Sequence, residues 1–258
     1  MRIVARNLTA KLGRRSILHG IDLDARAGEV TAIVGPNGSG KTTAMRCLTG
    51  DLAHGGHMTI NGHAPEDWPA WQLASIRAVL PQASALSFPF TVLEVVRLGL
   101  MAGRSADQVG IASQALARVG LAGFEGRFYQ ELSGGEQART QLARVLAQVW
   151  HPTPDDAPRW LFLDEPVAAL DIAHQRVVMD IARDFARSGG GVIAVMHDLN
   201  LTAGFADRMI LLAGGRVLAA GTPVEVMTDA ILSRAYGCAV RVGAVPSTPF
   251  VLPHPLSA

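Results

Sequence analysis

The chain has 258 residues, of which 49% are hydrophobic and 17% charged, a composition that excludes an intrinsically disordered protein and suits one large folded domain. Its 23 Lys and Arg residues nearly balance its 22 Asp and Glu residues, so the net charge of +1 gives no reason to expect a nucleic-acid partner. The two cysteines stand far apart and outside any CxxC motif, which argues against a disulfide scaffold and against a cysteine-ligated zinc site.

Short apolar runs, separated by polar turns or helical stretches, predict the strands. They lie near residues 3–4, 17–23, 30–34, 160–163, 191–196 and 209–212. Helical stretches alternate with the later strands, which favours an α/β core whose parallel sheet is covered by helices. A Gly-Gly turn at residues 214–215 predicts a closing hairpin. No apolar run reaches the roughly 20 residues that span a bilayer, so any membrane association is expected to come through a protein partner.

A helical subdomain is predicted over about residues 84–131, inserted into the α/β core. Its clearest signal is the sequence at 91–94, which has the Thr-x-x-Glu form of a helix capping box. Three prolines predict an exposed loop over residues 151–158. The predicted organisation is one domain over residues 1–240, followed by an extended tail over residues 241–258.

A glycine-rich loop follows the strand predicted at 30–34 and leads into a helix that continues to Leu48. It matches the G-x-x-x-x-G-K-[ST] pattern of phosphate-binding loops, between the strand and the helix that the pattern requires. Its residues are Gly35, Pro36, Asn37, Gly38, Ser39, Gly40, Lys41, Thr42 and Thr43. Backbone N–H groups are expected to bind phosphate oxygens, and Lys41 adds a positive charge. The Thr42 hydroxyl is expected to bind Mg²⁺, and that of Thr43 the α-phosphate.

Two carboxylates follow the apolar strand predicted at residues 160–163. Asp164 is expected to face Mg²⁺ and Glu165 the attacking water, because adjacent residues at a strand end point in different directions. A carboxylate beside that water is a candidate general base. Read alone, such a pair also fits a solvated turn, but the phosphate loop elsewhere in the chain favours the catalytic interpretation.

Residues 132–137, Leu-Ser-Gly-Gly-Glu-Gln, begin another predicted helix and form a second candidate anion site. Its donors are the Ser133 hydroxyl and the N–H groups of Gly134 and Gly135. A lone Ser-Gly-Gly is also typical of linkers and helix caps. Each chain carries one phosphate loop and one such site, with a helical insertion between them. The two sites are therefore expected to combine only when two chains face each other head to tail.

These motifs, taken with Pro81-Gln82, Ala169-Leu170-Asp171 and His197 in the same order, resemble the nucleotide-binding subunit of ABC transporters. The similarity covers about residues 1–240. It implies the α/β fold of a P-loop NTPase of the ABC type, whose mixed-sheet core has an N-terminal antiparallel β part and an inserted helical subdomain. It also implies an ATPase that binds ATP and Mg²⁺.

The resemblance further assigns roles to individual residues. Gln82 would link Mg²⁺ and the attacking water to the helical subdomain, and His197 would contact the γ-phosphate. Ser133, Gly134 and Gly135 would bind the γ-phosphate of the ATP held by the other subunit. The implied catalytic residues are therefore Glu165, His197 and Gln82, and the implied metal ligands are Thr42, Gln82 and Asp164.

A narrower resemblance comes from residues 160–175 and 197–201, which are similar to the ATP-binding subunits of iron-chelate, cobalamin and haem importers. They are most similar to the haemin import ATP-binding proteins, chiefly through Ile172-Ala173-His174-Gln175. This implies a homodimer beneath two permease subunits, at the cytoplasmic face of the bacterial inner membrane. Haem would arrive from a periplasmic binding protein, while a siderophore or cobalamin importer remains open.

Two other classes of protein fit the sequence less well. A soluble ABC ATPase of DNA repair or translation would be expected to carry a long coiled coil or a second phosphate loop, and this chain has neither. A P-loop kinase of small molecules would leave the motif at 132–137 unexplained.

The chain also departs from the family pattern upstream of the phosphate loop. ABC ATPases usually place an aromatic residue there to stack on adenine, but residues 1–30 contain no Phe, Trp or Tyr. Lys11, Arg14 or Arg15 is expected to cover the base instead, because a guanidinium can stack where an aromatic ring is absent. Poor discrimination between ATP and GTP follows from that substitution.

Two further groups of residues have alternative interpretations. His54, His57 and His63 are surrounded by glycines and are expected on a surface hairpin rather than in a metal site. The segment 84–104 contains Phe88, Phe90 and Leu93 and is expected to dock a permease helix. The alternative is that these apolar side chains fill the core of the subdomain.

Overall fold

The computed structural model describes residues 1–82, 88–103, 110–154, 157–249 and 251. Its first sheet is antiparallel and three-stranded, in the order β2-β1-β4. The strands are β1 (Arg2–Leu12), β2 (Arg15–Arg26) and β4 (Gly55–Ile60). The predicted N-terminal strands are present and longer than expected. Strand β4 lies in the segment expected as a surface hairpin, and it was not predicted as a strand of the sheet because its glycines and histidine hide the apolar alternation on which strand prediction depends.

The second sheet has six strands in the order β5-β6-β7-β3-β8-β9. They are β3 (Val30–Val34), β5 (Arg77–Leu80), β6 (Trp160–Asp164), β7 (Gly191–Val195), β8 (Arg208–Ala213) and β9 (Arg216–Gly221). The first five in this order are parallel, and β9 returns antiparallel to β8 through the predicted Gly-Gly turn. The strand β5 was not predicted, because it has four residues and begins with a charged one.

Helices pack on the second sheet and on one another. They are α1 (Lys41–Leu48), α2 (Ala70–Ile76), α3 (Val92–Ala102), α4 (Ile111–Arg118), α5 (Gly134–Gln148), α6 (Ile172–Arg187), α7 (Leu199–Phe205), α8 (Pro223–Val226) and α9 (Asp229–Tyr236). Alternate residues of β3 enter two different cores. Val30, Ala32 and Val34 pack with the helices from α3 onward, whereas Ile33 packs with α1 and the antiparallel sheet. The parallel sheet is thus buried on both faces, which explains its continuous apolar runs.

The helical subdomain begins as predicted, at the capping box of α3. The Thr91 side chain accepts the N–H of Glu94, and the Glu94 carboxylate accepts the N–H of Thr91. Both α3 and α4 pack against α5, which extends this helical layer past residue 131. Within the predicted segment 84–131, residues 84–87 and 104–109 lie outside the described part of the chain.

Two expectations about exposure need correction. The loop at 151–158 is not fully exposed, because Pro158 is buried and its carbonyl accepts a 2.9 Å hydrogen bond from Asn61 Nδ2. This contact fixes the loop just before β6 begins. The ring of His54 is also largely buried, with Nε2 lying 3.8 Å from Glu66 Oε1, rather than on a solvated hairpin. In the described ranges, no three His, Cys, Asp or Glu side chains form a group that could hold a metal ion.

The cysteines differ sharply in environment. Cys47 is buried in α1, and burial raises the pKa of its thiol to about 11, whereas Cys238 is exposed after α9. None of the helices that the structure describes is both long and apolar enough to cross a bilayer.

Candidate nucleotide-binding site

The phosphate loop connects the end of β3 to the first turn of α1, and its glycines are required by space and by backbone conformation. Gly35 has φ +145°, and a Cβ there would lie 2.0 Å from the Leu212 carbonyl oxygen. Gly40 has φ +103°, and its Cβ would lie 2.8 Å from Leu18 Cδ2. A side chain at either position would collide with these neighbours, so both positions require glycine. Without side chains there, the backbone of the loop can approach phosphate closely.

Lys41 is buried at the start of α1 and closes the loop on itself. Its Nζ donates to the carbonyl oxygen of Gly35 at 2.9 Å and to that of Pro36 at 3.1 Å. Burial lowers the pKa of Lys41, while the negative charges of Glu165 and Asp164 act in the opposite direction. The lysine thus lies where its ammonium can meet a phosphate, already held by the loop's own carbonyls.

One cavity of about 580 Å³ gathers most of the predicted site. Its walls include loop residues together with three side chains from distant parts of the sequence and three from the first hairpin. They are Asn37, Gly38, Gly40, Lys41, Thr42, Thr43, Gln82, Glu165, His197, Leu12, Arg15 and Ile17. The strand order explains this assembly. Gln82, Glu165 and His197 follow β5, β6 and β7, which are adjacent parallel strands, and ligands bind at the carboxyl ends of such strands.

Glu165 is held at the centre of that assembly. Gln82 Nε2 donates to its Oε2 at 2.9 Å, and His197 Nε2 lies 2.6 Å from its Oε1. Its backbone has φ +52°, a left-handed conformation that a non-glycine residue adopts at a cost of about 1–3 kcal/mol. Its side chain is only 12% exposed. The arrangement fixes both carboxylate oxygens, as is needed for a base that must meet a water molecule in one orientation.

The pair formed by Asp164 and Thr42 fits a magnesium ion. Asp164 is buried, its Oδ1 has no hydrogen-bond partner among the described residues, and the nearby Thr42 side chain favours the ionised form of its carboxylate. Burial, followed by the charge of Glu165, raises the pKa of Asp164. A buried, unpartnered carboxylate oxygen beside a hydroxyl is the hard oxygen donor set that Mg²⁺ prefers.

The second anion site lies on a different surface of the same chain. Ser133 caps α5, and both its N–H and its hydroxyl donate to Glu136 Oε2, at 2.8 and 2.7 Å. Gly134 lines a separate cleft of about 190 Å³ that shares Gln82 and Glu165 with the larger cavity. Ser133 and Gly135 line neither of these two cavities. A single chain therefore does not bring the whole motif to its own phosphate loop.

Sequence reasoning missed part of both cavities. Leu12 and Ile17 line the larger one because the first hairpin packs against the phosphate loop, a contact between separate elements with no local signature. Tyr129 and Gln141 line the smaller cleft, where Gln141 Nε2 donates to the Tyr129 hydroxyl at 3.1 Å. Their proximity in sequence to the 132–137 motif was the available signal.

The segment that carries most of the haemin resemblance lies at the start of α6, and none of its four residues lines either cavity. Asp171 caps this helix by accepting the N–H of His174, and His174 Nδ1 lies 2.8 Å from Asp171 Oδ1. Ile172 is exposed. The segment is thus a helix start with an apolar side chain facing outward.

The fold and these motifs agree with the comparison to known proteins. A family model described as ABC transporter matches residues 18–168, more than half of the chain. The chain belongs to the ABC transporter family. The resemblance drawn from the motifs is thereby confirmed, together with its fold class, and the chain is an ATP-binding ATPase subunit of this family.

Relatives of this ABC subunit match over nearly its whole length. It is 60% identical over 254 residues to a protein of Jannaschia sp. (strain CCS1), covering 98% of this chain and 94% of that protein. It is also 60% identical over 256 residues to one of Roseobacter denitrificans, covering 98% of both. A third, from Rhizobium etli, is 56% identical over 96% of both chains. Each of these proteins is named a hemin import ATP-binding protein.

Solved structures agree with the fold of the ABC subunit. The structure of the ATP-binding subunit of an ABC transporter superposes with a TM-score of 0.77 at 22% identity, covering 95% of both chains. A dimeric bacterial ABC transporter cassette gives a TM-score of 0.73 at 27% identity, covering 86% of this chain and 98% of the cassette.

Proposed function

We propose that this subunit hydrolyses ATP to drive the import of haem through a membrane permease. The observation that carries ATP hydrolysis is the placement of Glu165 between Gln82 and His197, at 2.9 and 2.6 Å, on the wall of the phosphate-loop cavity. The observation that carries haem is the identity of 60% to hemin import ATP-binding proteins over 98% of the chain.

The residues around the cavity divide the chemistry between them. Glu165 accepts a proton from the water that attacks the γ-phosphate, and Gln82 and His197 keep its carboxylate in position. Lys41 and the loop N–H groups stabilise the charge of the transferring phosphoryl group. Thr42, Asp164 and Gln82 would hold Mg²⁺, which neutralises charge on the β- and γ-phosphates when it is bound.

The working unit is a homodimer. Ser133 and Gly134 are exposed, and neither Ser133 nor Gly135 lines the phosphate-loop cavity of its own chain. A second copy of the chain is therefore needed to bring the 132–137 motif to each nucleotide site. Two permease subunits bind this dimer at the cytoplasmic face of the bacterial inner membrane, and a periplasmic binding protein delivers the haem. A siderophore or cobalamin importer has the same ATPase chemistry and differs only in the partners.

Reconstitution tests the proposal. The subunit is purified together with its permease and placed in liposomes. ATP hydrolysis and uptake are then measured with a binding protein loaded with haem, ferric siderophore or cobalamin. We expect haem alone to stimulate both activities. Stimulation by the siderophore or cobalamin arm instead would reassign the substrate, and hydrolysis by a chain that never associates with a permease would favour the soluble class of ABC ATPase.

A further inference from the structure

We propose that Arg15 stacks on the nucleotide base in this chain, in place of an aromatic residue. The inference rests on the nucleotide site proposed above and adds the residue that meets the base. Three cations near the hairpin turn are candidates from the sequence, and their positions in the structure separate them. Arg15 lines the cavity that contains the phosphate loop, whereas Lys11 and Arg14 do not.

The register of the first hairpin explains this selection. Leu12 of β1 pairs directly with Arg15 of β2, so their side chains lie on the same face of the sheet. Ile17 lies two residues beyond Arg15 on the same strand and shares that face, because side chains alternate along a strand. Lys11 pairs with Ser16, one position out of phase, and Arg14 lies in the turn itself. All three residues of the selected face line the cavity.

The hairpin packs closely against the phosphate loop. A Cβ on Gly40 would lie 2.8 Å from Leu18 Cδ2 and 3.5 Å from Ile17 Cγ2, so no gap separates β2 from the loop. The part of the cavity beside the hairpin is therefore continuous with the part beside Lys41 and Thr43, where the phosphates would lie. A nucleotide whose phosphates occupy the loop has its base beside the hairpin.

The residues in the part of the cavity beside the hairpin suit a planar nucleotide base. Arg15 is exposed, and its guanidinium makes no hydrogen bond or ion pair with the residues that the structure describes. Leu12 is 44% exposed and, with the half-buried Ile17, supplies an apolar surface beside it. No Phe, Trp or Tyr lies among the described residues of the cavity wall. A planar guanidinium stacks on aromatic rings, and here it is the available group.

Stacking of this kind has a consequence for specificity. A guanidinium placed over a ring face reads no pattern of donors and acceptors, so adenine and guanine should be bound about equally. An aromatic residue at position 15 would stack in the same way without adding positive charge. The second property separates stacking from long-range attraction of the phosphates, because an uncharged aromatic ring could replace a stacked guanidinium but not a distant positive charge.

The test compares ligands that share the phosphates and differ in the base. Equilibrium binding of Mg-ATP, Mg-GTP and Mg-tripolyphosphate is measured on the full chain and on Arg15→Ala, Arg15→Tyr, Arg14→Ala and Lys41→Ala. We expect Arg15→Ala to weaken ATP and GTP about three- to tenfold while leaving tripolyphosphate unchanged. Arg15→Tyr should restore both nucleotides, and Arg14→Ala should match the unmodified chain.

Three outcomes would overturn the inference. One is equal weakening of tripolyphosphate and ATP by Arg15→Ala, which would mean that Arg15 acts only through its charge. Another is unchanged ATP affinity in Arg15→Ala, and a third is a strong preference of the unmodified chain for ATP over GTP. Lys41→Ala reports separately on the nucleotide site: if it fails to weaken all three ligands, the proposed site itself is wrong.

Discussion

Glu165 shows how one side chain can be held by the ends of three strands. Its φ of +52° turns it out of β6, and its carboxylate meets groups that follow β5 and β7. The strain is local, whereas the hydrogen bonds come from residues 83 and 32 positions away in sequence. Such strain is retained where surrounding contacts determine the geometry, which is a property of functional sites.

The first prediction concerns this residue. Glu165→Gln should reduce ATP turnover by about 10²–10⁴-fold, because the amide keeps the shape of the carboxylate and its hydrogen bond to Gln82 but cannot accept the proton. Binding of Mg-ATP should persist, and the variant should accumulate as a closed dimer with ATP. Steady-state hydrolysis and size-exclusion chromatography measure the two effects.

A matched variant separates catalysis from binding. Lys41→Ala removes the loop's charge and should weaken nucleotide binding itself, leaving no dimer to trap. Normal hydrolysis by Glu165→Gln would remove Glu165 from the role of base.

At the scale of single elements, α3 is a helix whose first residue could be predicted from the sequence. Both bonds of its capping box are present, and the hydrogen bonds from the Thr91 backbone and side chain lower the pKa of Glu94. A carboxylate whose pKa is lowered by folding stabilises the fold above its ordinary pKa of 4.5, and that contribution disappears as the pH falls through the lowered value.

The second prediction follows from that sign. Glu94→Ala should lower the melting temperature at pH 7, and the difference from the unmodified chain should shrink as the pH falls below about 4.5. Glu94→Gln keeps an acceptor and cannot titrate, so its difference from Glu94→Ala should stay constant with pH. A gap between Glu94→Ala and the unmodified chain that widens in acid would contradict the assignment.

The crossing of α3 and α5 depends on a glycine. A Cβ on Gly99 would lie 1.9 Å from the Arg144 carbonyl oxygen, so any side chain there must push the two helices apart. This close approach depends on how α3 and α5 pack together. The sequence of α3 alone shows only a glycine within a predicted helix.

The third prediction uses this contact. Gly99→Ala should destabilise the chain by about 1–3 kcal/mol, since overpacking forces backbone shifts. Gly204→Ala in α7 is the control: a Cβ there meets nothing within 4 Å, and helix propensity should make the variant neutral or more stable by up to about 1 kcal/mol. Urea unfolding compares the two, and equal shifts would mean that the helices separate freely at Gly99.

At the scale of the whole molecule, a feature of the fold or the site could be predicted from the sequence when its signal lay in contiguous residues. The loop from Gly35 to Thr43, its flanking strand and helix, and the two carboxylates at the end of β6 could all be recognised from contiguous residues. The meeting of Gln82 with Glu165 depends on strand order, which no local pattern encodes. The same holds for the packing of Ile17 against the phosphate loop, and for α5 joining a helical layer expected to end before it.

The segment expected to dock a permease helix shows a mixed outcome. Phe88 is 69% exposed, whereas Phe90 and Leu93 pack against the core, so both interpretations apply to different members of the set. Residues 84–87 and 104 of that segment lie outside the described part of the chain. Docking by this segment stays a prediction that rests on Phe88.

The fourth prediction tests Phe88. Phe88→Asp should leave ATP binding by the isolated subunit unchanged and weaken association with the permease more than about tenfold, because a charge would have to be desolvated at the interface. Val224→Asp, at an even more exposed apolar position on α8, should leave association intact. Binding to the detergent-solubilised permease measures both.

Cross-linking provides an independent check. Cysteines introduced through residues 84–104 should capture the permease in a Cys238→Ser background. Capture only from residues 54–63 would show that the docking surface lies elsewhere.

The hydrogen bonds of Lys41 to the carbonyls of Gly35 and Pro36 affect how much of the free energy of ATP binding is spent on ordering the phosphate loop. A loop held in shape by its own hydrogen bonds loses little conformational entropy when it binds phosphate. In the proposed homodimer, the free energy of ATP binding then remains available to bring the two subunits together. A loop of this kind needs no refolding between one nucleotide and the next, because the Gly35 and Pro36 carbonyls hold the lysine that shapes it.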